Sequence, residues 1–273
     1  MKVWKKIAAM TMALGMVASL AACGNSSSDK QEGDDNGLKT VESGKLTMST
    51  NAQFPPYESV ADGEGYEGTG FEGIDVEIAW AIAEKLGLEL VIHDTDFDSA
   101  LLEVQNGASD VVLAGLSYSE ERDATMDFTT KYATGVQVVI VKEGSDVTLD
   151  NLGDGKIIGT QRGTTGYLYA SDTPENGGYG EEAVQAFDSG ALAVQALVNG
   201  SIDAVIIDEA PAKEFVAANP GLTILPGEWV TEDYCIAVDE GNTQLKDAVQ
   251  KALDELIADG TVDSIVANHI KAD

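Results

Sequence analysis

Apolar and polar residues follow two different periods along this chain. From residue 74 to residue 86, apolar side chains recur at 74, 78, 82 and 86 and the pattern stops at Gly87, which predicts an amphipathic helix. Short apolar runs between turn residues predict buried strands, and the run at 135–141 is unusually long. The pattern predicts strands at 46–49, 88–92, 110–114, 135–141, 156–160, 204–207 and 234–238, and helices at 74–86, 99–105, 165–171, 191–198, 211–218, 243–258 and 262–270.

This alternation indicates an α/β fold with a mainly parallel sheet. One phrase occurs twice: EVQNGASDVVLAG at 103–115 is echoed by ALVNGSIDAVIID at 196–208, and each copy predicts a helix end followed by a buried strand. Ligands of such sheets lie beyond the carboxyl ends of the strands, so Gly115 and Asp208 are expected at the rim of a cleft. Two similar half-domains facing one ligand are predicted; chance recurrence of a common unit is the alternative.

The N-terminus predicts a secretory signal at 1–22. Three lysines precede an apolar stretch that ends in LAACG at 20–24, which resembles a bacterial lipobox. We therefore expect Cys23 to carry a lipid anchor that includes palmitate, followed by a flexible tether at 23–43, where Ser, Gly, Asp and Lys dominate. The alternatives are an export signal without lipid and a membrane-spanning anchor, for which the apolar run is short.

Charge and composition narrow the possible partners. The chain has 47 acidic and 16 basic residues, a net charge of −31, which loss of the three leader lysines would bring to −34. Such acidity excludes nucleic acid and anionic lipid surfaces as good partners. With Cys23 lipidated, Cys235 is the one free thiol of the mature chain, so we expect no disulfide, and the two distant histidines predict no metal site. No ATP-binding loop is present, and no cofactor is expected.

An anion site is predicted around Arg122, one of two arginines in the mature chain. In AGLSYSEERDATMDF, Ser117 follows a predicted strand end and Arg122 comes about one helical turn later. A hydroxyl, backbone amides and a guanidinium group that converge in this way suit a carboxylate. The alternative is a weak surface pair between Arg122 and Glu120 or Glu121.

Two further segments carry candidate chemistry. QRGTTG at 161–166 lies between a predicted strand and a predicted helix and resembles an anion-binding loop, although it lacks the phosphate-loop spacing and could be a plain turn. Asp208 ends a predicted strand, where its carboxylate could hold an ammonium group. Asp203 matches Asp110 in the repeated phrase, and both are expected to have structural roles.

Together these segments resemble the polar amino acid binding lipoproteins of ABC importers, the family 3 type of extracellular solute-binding protein. The motifs are NAQFPPYES, GFEGIDVEIAWAIAEKLG, AGLSYSEER followed by DF, GTQRGTTG and IDAVIIDEAP, in the family's order from about residue 46 to 270. The resemblance implies a two-lobed, type II periplasmic-binding-protein-like fold with a ligand cleft between lobes joined by a two-strand hinge. We expect lobe 1 at 44–138 with 235–273, and lobe 2 at 139–234.

The resemblance also implies how a zwitterionic ligand would be held. Arg122 and the Ser117 backbone would take the α-carboxylate, with a backbone amide near Thr164 or Thr165. The Asp208 carboxylate, the Gly115 carbonyl and the Ser117 hydroxyl would take the α-ammonium group.

For the ligand side chain, the resemblance implies an aromatic sandwich. Phe54 and Phe97 match positions at which aromatic rings enclose it. Asn51 lies where relatives often carry Asp, which weighs against a cationic side chain. Polar contacts are expected from Gln161, Glu58 and Asp96. A polar amino acid is favoured.

The predicted function is that of an extracytoplasmic, lipid-anchored receptor, on the outer face of a Gram-positive membrane. It would act as a monomer, close around an amino acid, and deliver it to a permease driven by ATPase subunits. Not being an enzyme, it would have no catalytic residue. The alternatives are a ligand-sensing lipoprotein for a signalling partner, a cyclohexadienyl-dehydratase-like enzyme on the same fold, and a structural surface lipoprotein.

Overall fold

In the computed structural model, which describes residues 37–270, strands and helices alternate largely where the sequence pattern predicts them. The strands are β1 (Lys45–Thr50), β2 (Gln53–Phe54), β3 (Glu58–Val60), β4 (Phe71–Glu72), β5 (Glu89–Asp94), β6 (Val111–Val112), β7 (Met126–Phe128), β8 (Ala133–Lys142), β9 (Ile158–Gln161), β10 (Val184–Phe187), β11 (Ala204–Asp208), β12 (Leu222–Ile224), β13 (Val230–Tyr234) and β14 (Ala237–Asp239). The helices are α1 (Ile74–Leu86), α2 (Phe97–Gln105), α3 (Glu120–Asp123), α4 (Thr165–Ser171), α5 (Gly190–Asn199), α6 (Glu209–Ala218), α7 (Thr243–Ala258) and α8 (Thr261–His269). None of these helices is both long and apolar enough to cross a bilayer.

The first sheet has the strand order β5-β1-β6-β14-β7. Strand β1 runs parallel to β5 and β6, whereas β14 is antiparallel to both of its neighbours. Helix α1 buries Ile78 and Ile82 in the same cluster as Met48 of β1 and Leu253 of α7, as its 3.6-residue period requires. Helix α2 packs in a separate cluster around Phe97. Helices therefore cover this sheet with apolar side chains.

The second sheet has the order β10-β9-β11-β8-β12, with β13 beside β8. Strands β10, β9 and β11 are parallel, and β8 is antiparallel to its partners. Along β8, Val138 and Ile140 enter one apolar cluster, while Val139 and Val141 enter another. Because both faces of β8 are buried, the strand is a continuous apolar run rather than an alternating one.

The predicted strand at 234–238 is wrong, because two strands of different sheets meet there. Tyr234 ends β13 in the second sheet, and Ala237 begins β14 in the first. Between them Cys235 N–H donates to the Leu116 carbonyl and Ile236 N–H donates to the Thr129 hydroxyl. The whole segment is buried, so its apolar pattern could not show the change of partner. The expectation of a mainly parallel sheet holds for only three strands of each sheet.

The repeated phrase has the local structure that it predicts in both copies. Helix α2 is followed by Gly107 with φ 66°, and α5 ends at Gly200 with φ 77° in the left-handed region. The aspartates then bond backbone amides: Asp110 accepts from Val41 and Thr47, each at 2.7 Å, and Asp203 accepts from Ile157 at 2.8 Å. A buried strand follows each aspartate. These contacts support the structural roles predicted for Asp110 and Asp203.

The tether was expected to run to residue 43, but its last part packs on the folded domain. Leu38 is 7% exposed and belongs to the apolar cluster of the first sheet. Gln244 and Asn242, at the start of α7, donate to the carbonyls of Gly37 and Lys39. The composition of this segment hid the packing, because a single leucine supplies the buried surface. The predicted signal, Cys23 and the rest of the tether lie outside the described residues.

Replacing Leu38 by alanine is expected to lower the free energy of unfolding by about 2–4 kcal/mol, because a buried leucine would leave a cavity. Urea denaturation measures the change. Val41→Ala is the matched control, since Val41 is 43% exposed and should cost less than about 0.5 kcal/mol. Equal effects of the two substitutions would contradict packing of this segment.

Candidate functional site

One cavity is lined by all ten residues predicted to bind a ligand. Its lining includes residues from the ends of both sheets, as the repeated phrase predicts for Gly115 and Asp208. The predicted residues in the lining are Asn51, Phe54, Phe97, Gly115, Ser117, Arg122, Gln161, Thr164, Thr165 and Asp208. Their contact with a ligand stays a prediction.

Arg122 is buried, at 7% exposure, within the short helical turn α3. Its guanidinium group donates to the carbonyl oxygens of Ser117 at 2.6 Å and Gly163 at 3.0 Å. The group also lies 5.6 Å from the centre of the Phe97 ring. The alternative of a surface pair is therefore wrong. Burial lowers the pKa of Arg122. Both hydrogen-bond partners of its guanidinium group are neutral carbonyls, so the positive charge of Arg122 is available to an anionic ligand.

Asp208 presents the opposite charge at the end of β11. It is 9% exposed and accepts a short hydrogen bond from the Tyr234 hydroxyl. Burial above all, with a smaller contribution from the charge of Glu232, raises the pKa of Asp208 to about 7, although the hydrogen bond from Tyr234 opposes the shift. The carboxylate is thus held by a neutral donor, and a cationic group in the cavity would favour its ionised form.

Gly115 is held in place by a buried carboxylate. Its backbone has φ 53°, and a Cβ there would come within 2.6 Å of the Phe54 ring. Its N–H donates to Asp75 Oδ2 at 2.8 Å, and the Tyr132 hydroxyl donates to the same carboxylate. Burial raises the pKa of Asp75 to about 6, because the carboxylate loses water. Only glycine combines this backbone conformation with the close approach of Phe54.

Glu58 lies beside Asp75 and also lines the cavity. It is 1% exposed. Burial, followed by the charge of Asp75, raises the pKa of Glu58 well above its ordinary value. The charged form of Glu58 is therefore disfavoured at this end of the cavity.

The remaining side-chain contacts join the two sides of the cavity. Gln161 Nε2 donates to Asn51 Oδ1 at 3.0 Å, and Asn51 Nδ2 donates to the Thr95 carbonyl at 2.8 Å. Phe54 stacks on Tyr57 with ring centres 5.7 Å apart. Asp96 was expected to contribute a polar contact, but it is exposed before α2 and is not part of the lining.

The QRGTTG segment forms the start of α4 at the cavity wall. The Thr164 hydroxyl caps the helix by accepting from Tyr167 N–H at 3.3 Å, and the Thr165 hydroxyl donates to Glu232 at 2.7 Å. Gly163 has φ 72°, and a Cβ there would overlap the Asp98 carboxylate. This close approach explains the glycine of the motif.

Sequence reasoning missed three residues around the site. Gln137 lines the cavity, and its signal was a polar residue within the apolar run of β8. Asp75 and Glu232 lie behind the lining and bond to Gly115 and Ser117. Their polar positions resemble those of any helix or edge strand, so no pattern in the sequence distinguished them.

Metal-binding and histidine chemistry is not apparent in the part of the chain that the structure describes. No group of three or more His, Cys, Asp or Glu side chains there is arranged to hold a metal ion. His93 lies near Glu103, and His269 lies 2.7 Å from Glu77, both outside the cavity lining.

Comparisons with known proteins agree over nearly the whole described chain. The family model described as bacterial extracellular solute-binding proteins, family 3, matches residues 46–272. The probable histidine-binding protein of Neisseria gonorrhoeae is 29% identical, over 97% of this chain and 95% of its own. The L-cystine-binding protein of Escherichia coli K12 is 30% identical, over 88% of both chains.

A solved structure supports the same architecture. The structure of an ancestral arginine-binding protein bound to glutamine has a TM-score of 0.75 and 35% identity, and the match covers 85% of this chain and all of that one. The predicted two-lobed binding-protein fold is confirmed by such structures. The curated relatives are binding proteins rather than enzymes.

Proposed function

Because this chain belongs to the bacterial extracellular solute-binding proteins of family 3, we propose that it binds a polar amino acid and delivers it to an ABC importer. One observation carries the proposal: a buried arginine and a buried aspartate line the same cavity, and each bonds only to neutral groups among the hydrogen bonds identified. An α-carboxylate would suit Arg122, and an α-ammonium group would suit Asp208. A zwitterion supplies both charges at a short separation.

The mechanism that we propose is closure around the ligand. The two lobes would be residues 44–138 with 235–273, and residues 139–234. The paired strands β8 and β13 would form the hinge, since the chain changes sheets next to them. The hydrogen bonds from Arg122 to Gly163 and from Gln161 to Asn51 would then be contacts across the cleft. A ligand that touches both lobes would stabilise the closed form by its difference in affinity for the two states.

The ligand's side chain would lie between Phe54 and Phe97, near the Asn51–Gln161 amide pair. The Asn51–Gln161 amide pair favours a side chain that exchanges hydrogen bonds over one that needs a counter-charge. Start-of-helix N–H groups at Thr165 would add donors for the α-carboxylate, because the first turn of a helix leaves amides without intrahelical acceptors.

A thermal panel tests this function. The full chain, purified in detergent and refolded to remove bound ligand, is melted by circular dichroism with each of the twenty amino acids and L-cystine. One or a few polar amino acids should raise the melting temperature, since a ligand at 100 times its Kd stabilises the native state by about 2.7 kcal/mol. Absence of any shift would overturn the proposal.

Binding is expected to weaken as pH falls below about 7. The empty site then holds a proton on Asp208, whose pKa burial raises to about 7, and the ligand's ammonium group must displace it. Affinity should fall by up to about tenfold per pH unit between about pH 7 and 5.5 and level off above that range. Calorimetric titration across this range measures the slope, and a flat profile would contradict it.

We also propose that Cys23 carries a lipid that anchors the protein outside the cytoplasm, on the outer face of a Gram-positive membrane. The family's extracellular location supports the side of the membrane. Mass spectrometry of the protein from its own membranes should show diacylglycerol on Cys23 and loss of residues 1–22, and Cys23→Ser should release the protein. Unmodified Cys23 would contradict the anchor.

The protein would act as a monomer without cofactor and without turnover. Neither histidine lies in the cavity lining, so no imidazole is placed to transfer protons to a bound ligand. A cyclohexadienyl acid incubated with the protein should therefore remain unchanged. Formation of an aromatic product would favour the dehydratase alternative.

A further inference from the structure

Glu232 is a buried carboxylate that no part of the proposed ligand contact uses. It lies on β13, opposite Gly135 of β8, and is 7% exposed. It is not part of the cavity lining, but three residues of that lining bond to it. From this position behind the lining, Glu232 can fix the orientation of the polar side chains that face the cavity.

A single oxygen of Glu232 accepts three hydrogen bonds. The Ser117 hydroxyl donates to Oε2 at 3.1 Å, the Gln137 amide at 3.0 Å and the Thr165 hydroxyl at 2.7 Å. These donors come from the segment after β6, from β8 and from the start of α4. Glu232 therefore ties together groups from both sides of the cavity.

These hydrogen bonds use the donor protons of all three side chains and leave only acceptor atoms for a ligand. A hydroxyl has one proton, so Ser117 keeps only lone pairs once it donates to Glu232. Thr165 gives its proton to Glu232 and accepts from Gln137 at 3.1 Å. The Gln137 amide nitrogen has two protons and uses one on each of these partners, which leaves its Oε1 acceptor.

We infer that Glu232 is a positioning residue that makes the side chains of Ser117, Gln137 and Thr165 accept hydrogen bonds only, and thereby selects ligands that carry a cationic N–H donor. The inference rests on the proposed amino-acid binding. Hydroxyl and amide groups can donate as well as accept hydrogen bonds. Because they donate to Glu232, these groups can only accept hydrogen bonds from a ligand. Together with the Asp208 carboxylate and the Gly115 carbonyl, they form a site for an ammonium group.

The test compares amino acids with analogues that lack only the α-ammonium group. The probes are L-arginine, L-glutamine and L-histidine, against 5-guanidinopentanoate, 4-carbamoylbutanoate and 3-(imidazol-4-yl)propanoate. Calorimetry on the full chain gives the ratio of the two Kd values for the pair whose amino acid binds most tightly. The variants are Glu232→Met, which removes the acceptor, and Glu232→Gln, which keeps a carbonyl oxygen. Asp233→Asn is the control, since Asp233 is exposed on the same strand and pairs with Lys131.

We expect Glu232→Met to lower the preference for the amino acid at least tenfold, because the freed hydroxyl protons can turn to the cavity. Glu232→Gln should restore the ratio to within about threefold of the native value, and Asp233→Asn should leave it unchanged. Glu232→Ala is a second variant, which is expected to fold because water can enter the space left by the side chain and bond to the buried donors. Since water donates as well as accepts, this variant should also lose the preference for the amino acid.

Equal weakening of both probes by Glu232→Met and Glu232→Ala would overturn the inference, since a merely structural role lowers both affinities together. Failure of both variants to fold, judged by circular dichroism, would also count as a structural role and against it. If the native chain binds none of the amino acids in the thermal panel, the proposed function fails and the inference fails with it. If the native chain binds an amino acid but the ratio of the two Kd values is unchanged in the variants, the inference fails and the proposed function stands.

Discussion

Replacing Arg122 by methionine is expected to weaken amino-acid binding at least about 100-fold. The guanidinium group is buried and bonds to two backbone carbonyls, and it would supply a carboxylate with two charge-assisted hydrogen bonds. Such bonds contribute about 1.5–3 kcal/mol each, so the loss of both corresponds to a hundredfold change or more. Calorimetric titration with the amino acid that gives the largest shift in the thermal panel measures the effect.

Arg162→Met is the matched control for Arg122. Arg162 belongs to the anion-binding loop predicted at 161–166, but its side chain is 54% exposed and lies near Asp188. We expect less than a threefold effect. Arg122→Lys should lie between the two, because lysine keeps the charge but not the paired donors. If Arg122→Met and Arg162→Met bind alike, Arg122 does not hold the carboxylate.

Replacing Asp208 by asparagine is expected to weaken binding about 100-fold while it stabilises the empty protein. The ligand's ammonium group would lose its carboxylate partner, which costs about 3 kcal/mol. Burial raises the pKa of Asp208 to about 7, so the folded state carries an unfavourable charge above that pH. Asparagine keeps an acceptor for the Tyr234 hydroxyl without that charge.

The pH dependence of stability follows from the same shift. The folded-state pKa of Asp208 lies above the ordinary unfolded value of about 4, so the native protein binds the extra proton and loses stability as pH rises through that window. At pH 8 the full penalty applies, and Asp208→Asn should raise the free energy of unfolding by up to about 4 kcal/mol. At about pH 4 the advantage should fall below about 1 kcal/mol, because the native carboxyl is then protonated and the unfolded one is about half protonated.

Urea denaturation without ligand at pH 4 and pH 8 measures this advantage. Glu209→Gln is the matched control, because Glu209 is the next residue, is partly exposed and pairs with Lys213. It should change neither stability nor affinity beyond about 0.5 kcal/mol. An Asp208→Asn protein that binds as tightly as the native one would remove Asp208 from the ammonium site.

Much of the site could be predicted because its residues follow strand ends. Gly115 follows one buried strand and Asp208 ends another, in the two copies of the repeated phrase, and Arg122 lies in the short helical turn α3. The structure brings all three to one cavity. Asp96 was misplaced because a polar residue before a helix can equally be an exposed N-terminal flank, which it is here.

The residues behind the lining could not be predicted. Glu232 lies more than a hundred residues from Ser117 along the chain, and Asp75 lies 40 residues from Gly115. Each bond depends on how strands and helices pack, and a local pattern contains no information about a partner so far away. The packed Leu38 was missed for the same reason.

The local elements, the α/β class and the candidate charges can be inferred from the chain alone, because the periods of apolar residues, glycine caps and strand ends act over a few residues. Which sheet each strand joins depends on packing between distant segments, as at residues 234–238, where a single buried run serves two sheets. The same packing buries Arg122 and Asp208 with neutral partners. Burial and long-range hydrogen bonds depend on packing between distant segments, and these set the charge and the hydrogen-bond direction of the cavity wall.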